Sequence, residues 1–569
     1  MVEMFKYIIQ SLEKEEQRMW KFLFFFSAMD TIKAFIGVFL SINIINTAVY
    51  INQITTSMLL LLIFMGGASI FLKIIALYRI KMESLFLYNS AQKLSIKVLE
   101  LFIKEDLEHH NKKSGAKVLT AVRNDTEKCI SIIISCIHIW VNMFSMIVGC
   151  MIIIYVLKWV GIVSCSAIIL LMVGLVYINR IQMNLYGEKR RMYEVKTASH
   201  IFTAFGLFKE VKVAGCASAI LRKYQDASEG YAHVHSKYEY QTNCTNIFMQ
   251  VTAMTIGYIM LAVIIGTKAD VLSVAGSISK YLMILAMIVG SGRNIINGVN
   301  NIEFSKKSYE TLRECMDRYT ELKQEEQDFA KIRQKQLTFQ KGLSVKNLNF
   351  SYNERMQIFD DASIDIPVGS SVAIIGVSGI GKTTFLDLIL GLLKPQSGSI
   401  FYDDYDIAAQ SDGEGICRTN LGEIVGYIPQ VVYLNDETVR RNISFFEDEI
   451  DDERVIESLK CAHIWEDVKQ MPKGINTLIG ENGTIISGGQ RQRMALARAL
   501  YKDFEILIMD EATAALNMEM EKAVIDSIRQ VKGNKTLLIV THHMSLANEC
   551  DIVYKIENKK FVRVVRNFD

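Results

Sequence analysis

Long apolar stretches dominate the first half of the chain, and short β-branched runs separated by glycine-containing turns and helices fill the second. Residues 22–50, 58–78, 130–156, 161–178, 247–265 and 271–288 each approach or exceed the roughly 20 apolar residues that a helix needs to cross a bilayer core. The stretch 130–156 contains no Asp, Glu, Lys or Arg. Between these runs, 51–57, 157–160 and 266–270 are short and carry at most one lysine each. The links 79–128 and 179–246 are long, helical in pattern and rich in Lys and Arg. Basic residues favour the cytoplasmic side, so the long links and both ends of the chain are predicted to be cytoplasmic. Links of that length also predict spanning helices that continue well beyond the bilayer. Residues 5–19 alternate apolar and charged positions and predict a helix lying in the membrane interface. The competing reading of the same runs is a large buried helical core.

Past residue 303 the pattern turns polar and helical, and from 343 it alternates strands with helices, the texture of an α/β domain. The predicted organisation is a six-helix transmembrane domain over 1–325, a linker over 326–342 and an α/β domain over 343–569. All four prolines, Pro367, Pro395, Pro429 and Pro472, fall in the last part. Composition supports the membrane reading, since 50% of the 569 residues are hydrophobic, which is high for a soluble protein of this size. A net charge of +2 leaves no basic excess for a nucleic-acid partner. The ten cysteines include no C-x-x-C pair, so buried reduced thiols are expected rather than a disulfide framework or a zinc site. No small-residue cleavage site follows a short apolar core near the first residue, so no removable signal peptide is expected.

Two constellations carry chemistry. Residues 371–375 read as a buried strand, followed by Gly376-Val377-Ser378-Gly379-Ile380-Gly381-Lys382-Thr383 and then a helix that opens with Lys382-Thr383-Thr384. Glycines at these places let backbone N–H groups and a helix N-terminus surround phosphates. In such a loop Lys382 is expected to reach the β- and γ-phosphates of a nucleotide and Thr383 to ligate Mg²⁺. Residues 506–509 are a second apolar run, ending in Asp510 and then Glu511. Asp510 is placed to hold the water shell of the metal, and Glu511 to polarise an attacking water as general base.

On these motifs, 340–569 resembles the nucleotide-binding domain of ABC transporters, and 1–325 resembles the six-helix membrane domain of their exporter branch. Ser487-Gly488-Gly489-Gln490 is similar to the family signature, with Ile486 where leucine is usual. The resemblance implies an ATP-hydrolysing transporter that uses ATP and Mg²⁺. It implies that two such domains close face to face, the signature of one subunit binding the γ-phosphate held by the other. It further implies that Tyr352 stacks on adenine and that Gln430 contacts Mg²⁺ and links the site to the membrane domain. His542 would meet the γ-phosphate, with His543 competing for the register. Residues 477–483 resemble the exporter loop that touches the cytoplasmic helices. Ala514-Ala515-Leu516-Asn517 departs from the family, which usually ends this run in Asp, and the lost charge puts communication across the dimer in doubt.

One phosphate loop and one signature per chain imply a dimer. A homodimer is favoured because the chain supplies every catalytic part; a heterodimer with a degenerate partner is the alternative. Residues 107–115, with Arg123-Asn124-Asp125, resemble the exporter turn that seats on the ATPase domain, and a solvated basic turn competes with that reading. Asp30, Lys33, Lys73, His138, Lys280 and Arg293 lie in or near the spans. Asp30 and Lys33 are one turn apart and can neutralise each other. Lys73, Lys280 and Arg293 either snorkel to the interface or line a cavity for an anionic headgroup. Residues 5–16 and 386–397 are similar to bacterial lipid-linked oligosaccharide flippases. The leading expectation is ATP-driven export or flipping of a lipid-linked or amphipathic substrate across the cytoplasmic membrane by alternating access. Export of a small modified or antimicrobial peptide, and a membrane ATPase that gates a partner protein, are the alternatives.

Overall fold

The computed structural model describes residues 1–29, 56–105, 107, 113–267, 271–332, 339–353, 356–408, 418–445, 447–480, 483–511 and 535–564. Apart from 106–108, the chain divides between Lys323 and Gln324 into two compact units.

The first unit is helical. Its elements are α1 (Val2–Ser11), α2 (Thr56–Lys104), α3 (Thr126–Leu157), α4 (Trp159–Gly206), α5 (Ala217–Thr267) and α6 (Val271–Ile332). At 62 residues, α6 is about 90 Å long, some three times the thickness of a bilayer core. Helical stretches over Gly115–Tyr155, Gly161–Gly206 and Ala217–Val263 are long and apolar enough to cross a membrane, by length and composition. The expected spans 58–78 and 271–288 lie within the unbroken helices α2 and α6. The expected span 22–50, including Asp30 and Lys33, falls mostly outside the described residues. Along α4, Ile162, Val163, Leu170, Val173 and Tyr177 are all exposed. Continuous apolar surface of this kind needs lipid or a partner to cover it.

One expectation is corrected. The apolar face of α1 is not turned to the membrane interface, because Phe5, Ile8 and the following Leu12 are buried in the core of the helical unit. The Phe5 ring lies 4.5 Å from that of Trp140 and 5.3 Å from that of Trp20, both edge-on. An amphipathic helix needs one apolar partner, and here the partner is protein. Elsewhere α4 closes onto α6 at Gly187, where a Cβ would stand 2.2 Å from the Phe304 carbonyl oxygen.

The second unit is built on two sheets. The first, in the order β2-β1-β4-β5, joins β2 (Gln357–Pro367), β1 (Gly342–Ser351), β4 (Ser397–Tyr402) and β5 (Tyr405–Asp406) through antiparallel pairs. The second has six strands in the order β10-β9-β3-β8-β7-β6. It comprises β3 (Ser371–Ile375), β6 (Val425–Ile428), β7 (Ile506–Asp510), β8 (Thr536–Val540), β9 (Ile552–Glu557) and β10 (Lys560–Arg563). From β9 to β6 every pairing is parallel, and only β10 runs antiparallel. The strands β7 and β8 are buried at every position, as expected where both faces of a parallel sheet are covered. Parallel order sets the carboxyl ends of β3, β8, β7 and β6 side by side along one edge. The site is assembled there.

Gly187→Leu should force α4 and α6 apart and destabilise the helical unit by about 1–3 kcal/mol, read as a lower apparent melting temperature of the full chain in lipid nanodiscs. Gly174→Ala, where a Cβ meets nothing within 4 Å, should leave that temperature unchanged.

Candidate nucleotide-hydrolysing site

Each of the four adjacent parallel strands ends in a chemically loaded segment. After β3 the chain runs through Gly376–Ile380 and enters α7 (Lys382–Ile389) at Gly381. Gly381 takes a φ of 115°, and a Cβ there would lie 2.4 Å from the Ile358 side chain, so glycine is required on both counts. The first amide to bond back within the turn is that of Phe385, to the Gly381 carbonyl at 2.9 Å. The preceding N–H groups of the first turn therefore point out of the helix end, as anion binding requires.

Lys382 folds back over this loop. Its side chain is 7% exposed, and its Nζ donates to the Gly376 carbonyl at 2.9 Å and lies 3.3 Å from Glu511 Oε1. Glu511 follows directly on β7, in a left-handed backbone conformation with φ of 44°. A non-glycine residue there is uncommon and strained. Its N–H donates to the Val540 carbonyl at the end of β8, and the turn aims the carboxylate at three partners. Besides Lys382, Gln430 Nε2 donates to Glu511 Oε2 at 2.7 Å, and His542 Nδ1 stands 3.8 Å from Oε1. Gln430 arrives just past β6 and His542 just past β8. His543 instead sits at the N-cap of the helix Met544–Asn548.

Asp510, the last residue of β7, is 2% exposed, and its Oδ1 has no hydrogen-bond partner among the described residues. Burial, then the neighbouring Glu511 charge, raise its pKa, while a hydrogen bond from Thr383 and the charge of Lys382 oppose the rise. An orphaned buried carboxylate oxygen beside a threonine hydroxyl is an oxygen donor set that suits Mg²⁺. Asp387, one turn along α7, was not singled out from the amino-acid sequence. Burial and the Asp510 charge push its carboxyl up to about 6. Its signal was a carboxylate five residues beyond the loop lysine, on an otherwise apolar helix.

Tyr352, beyond β1, is half-exposed, with its hydroxyl 3.2 Å from Thr384 Oγ1 and its ring edge-on to Phe350. The signature lies apart from these groups. Ser487 caps α8 (Gly488–Tyr501) in a reciprocal box: the Gln490 N–H donates to Ser487 Oγ, and the Ser487 N–H donates to Gln490 Oε1. Asp467 braces that helix, accepting from Gln490 Nε2 at 3.0 Å and pairing with Arg493 at 3.1 Å. Among the described residues no bond of 487–490 reaches the phosphate loop. Glu481 and Asn517 lie outside the described residues. In the helical unit, Lys73 and Arg293 are exposed, and the Lys280 side chain lies outside the described residues.

A glycine loop before a helix, a buried lysine and a carboxylate pair at the end of the next-but-one parallel strand define a P-loop nucleotide hydrolase. Comparison narrows the class. Residues 359–514 match the family model described as ABC transporter. An ATP-dependent lipid A-core flippase of Wigglesworthia glossinidia brevipalpis is 27% identical over 468 residues, covering 79% of this chain and 76% of that protein. A protein of the same description from Vibrio cholerae serotype O1 is 35% identical over 229 residues, 40% of this chain and 38% of that relative's own length. The structure of a bacterial Atm1-family ABC exporter with ATP bound superposes with a TM-score of 0.76 at 20% identity, covering 96% of this chain and 94% of that one. The match places an ABC transporter domain at 359–514, and the chain shares the fold of that exporter. The helical unit carries helices long and apolar enough to cross a membrane, and the α/β unit contains the matched ABC transporter ATP-hydrolysing domain.

Lys382→Ala should weaken ATP binding by about 10- to 100-fold, since it deletes the charged donor nearest the phosphates. Equilibrium binding of labelled ATP to the full chain checks this, and unchanged affinity would remove the loop from the phosphate site.

Proposed function

We propose that the chain works as a homodimer that flips or exports a lipid-linked or amphipathic substrate across the cytoplasmic membrane by alternating access, with the ATPase domain and both ends of the chain in the cytoplasm. The observation that carries the hydrolytic part is the Glu511 carboxylate, held at once by Lys382, Gln430 and His542. In this reading Gly376, Val377, Ser378, Gly379, Ile380 and Gly381 wrap the phosphates, with Lys382, Thr383 and Thr384 at the helix end. Tyr352 packs on the adenine. Thr383, Gln430 and Asp510 would hold Mg²⁺, which when bound neutralises charge on the β- and γ-phosphates. Glu511 takes a proton from the attacking water, and His542 donates to the γ-phosphate. Ser487, Gly488, Gly489 and Gln490 serve the partner subunit's nucleotide, which accounts for a signature that bonds nowhere near its own loop. The lipid character of the substrate is supported by the relatives described as lipid A-core flippases. It is supported as well by the open apolar flank of α4, which gives a lipid tail a surface to follow.

Mixing two inactive variants tests the shared site. Ser487→Arg and Lys382→Ala homodimers should each be inactive, whereas a mixed dimer holds one intact composite site and one doubly broken one. Recovery of up to about half the parent phosphate release per mixed dimer is expected where one site suffices. Activity in both mutant homodimers alone would rule the shared site out.

A further inference from the structure

The short helix Trp465–Lys469 brings Asp467 to the first turn of α8. Packing sets its place. Ile464 and Val468 are fully buried in the same apolar core as Met494 and Ala497 of α8. Asp467 is left at the edge of that core, with its side chain 36% exposed. One of its carboxylate oxygens accepts from Gln490 Nε2 at 3.0 Å, and the other pairs with Arg493 Nη2 at 3.1 Å. Arg493 is itself buried, and its Nη1 donates to the His463 carbonyl. A buried arginine therefore anchors the carboxylate, and the carboxylate anchors the glutamine.

A glutamine carboxamide has an oxygen end and a nitrogen end of nearly the same shape, and its partners decide which way it faces. Gln490 Oε1 accepts from the Ser487 N–H at 2.8 Å, which closes the capping box. Turned over, the carboxamide would set its nitrogen against that N–H and open the box. An ionised carboxylate accepts hydrogen bonds and donates none. Asp467 therefore holds the nitrogen end and leaves the oxygen end to Ser487. The first amide of α8 to bond back to a backbone carbonyl is that of Arg491, to Ser487 at 2.9 Å. The Gly488 and Gly489 N–H groups ahead of it point out of the helix end, as anion binding requires. Their arrangement around Ser487 depends on the box, and the orientation that closes the box depends on Asp467.

We propose that Asp467 is a positioning residue for ATP hydrolysis: by fixing the Gln490 carboxamide it pre-forms the signature that meets the γ-phosphate held by the partner subunit. The proposal rests on the reading of 487–490 as ligands of the partner's nucleotide, which the mixed dimers test separately. Its own test measures phosphate release at saturating ATP, and equilibrium ATP binding, for the full chain in lipid nanodiscs. Asp467→Ala should release phosphate about tenfold more slowly, the loss expected of a charged hydrogen bond. ATP binding, made by the chain's own phosphate loop, should stay within about threefold of the parent. A double-mutant cycle then shows whether the loss runs through Gln490. In a Gln490→Ala chain no carboxamide remains to orient, so adding Asp467→Ala should change turnover by less than about twofold. A role confined to the Arg493 ion pair would give the same loss in both backgrounds, and that result overturns the proposal. Parent-like turnover by Asp467→Ala, or ATP binding that falls as far as turnover, overturns it as well. If Gln490→Ala turns over too slowly to read, the split between binding and turnover in the single variant decides. If Asp467→Ala does not fold, Asp467→Asn, which fills the same space without the charge, enters the same cycle, with a loss of about threefold or more expected in the parent background alone. The mixed dimers report where the signature acts and the cycle reports what braces it, so the two fail separately.

Discussion

The pairing of Lys382 with Glu511 across 3.3 Å is the interaction on which the nucleotide site turns. Two adjacent carboxylates, Asp510 and Glu511, end a strand buried along its whole length. Without a cation they would repel in a medium that screens charge poorly. Lys382 supplies that cation from the next-but-one strand, and it can do so only because β3, β8, β7 and β6 are parallel and end along one edge. The strained backbone of Glu511 is what bends its carboxylate back toward the loop. An entering triphosphate competes for the same ammonium group. In the proposed cycle, phosphate binding takes Lys382 away from Glu511 and leaves the carboxylate to Gln430, His542 and a water. The ion pair thus keeps the base occupied until nucleotide arrives.

Some of this was legible in the amino-acid sequence for a plain reason. Apolar runs at 371–375 and 506–509 became β3 and β7 because a strand buried on both faces has no alternation to disguise it. The glycine loop announces itself because its backbone must take conformations other residues avoid. The geometry around Glu511 was beyond reach, since its partners come from residues 382, 430 and 542, and nothing local measures their separation. Amphipathicity misled at α1, where a charged-and-apolar alternation fits a bilayer surface and a helical bundle equally well. At 130–156 the absence of full charges masks Ser131, Ser135, Asn142 and Ser145, spaced along one face. That spacing was visible, and it becomes informative only when α6 presents a matching face.

The helical unit sets a second constraint. Helices of 48 to 62 residues, such as α4 and α6, are far longer than a bilayer needs. They are rigid because every backbone group within them is satisfied internally. Between α3 and α6, Ser291 Oγ donates to Ser145 Oγ at 2.9 Å, Asn294 Nδ2 to Asn142 Oδ1 at 3.1 Å, and Asn301 Nδ2 to Ser135 Oγ at 2.8 Å. This polar seam holds α3 to α6 through directional bonds rather than through packing alone. Directional bonds have few arrangements of equal energy, which keeps the paired helices in register.

The measurement that bears most directly on this account is phosphate release by the full chain in lipid nanodiscs, compared with that of Glu511→Gln. Glutamine keeps the shape and one acceptor oxygen but cannot take a proton from water. ATP binding should therefore be retained, while turnover falls by about 10²-fold or more, the size expected for loss of a general base. Turnover close to that of the parent chain, with ATP affinity intact, would contradict the account.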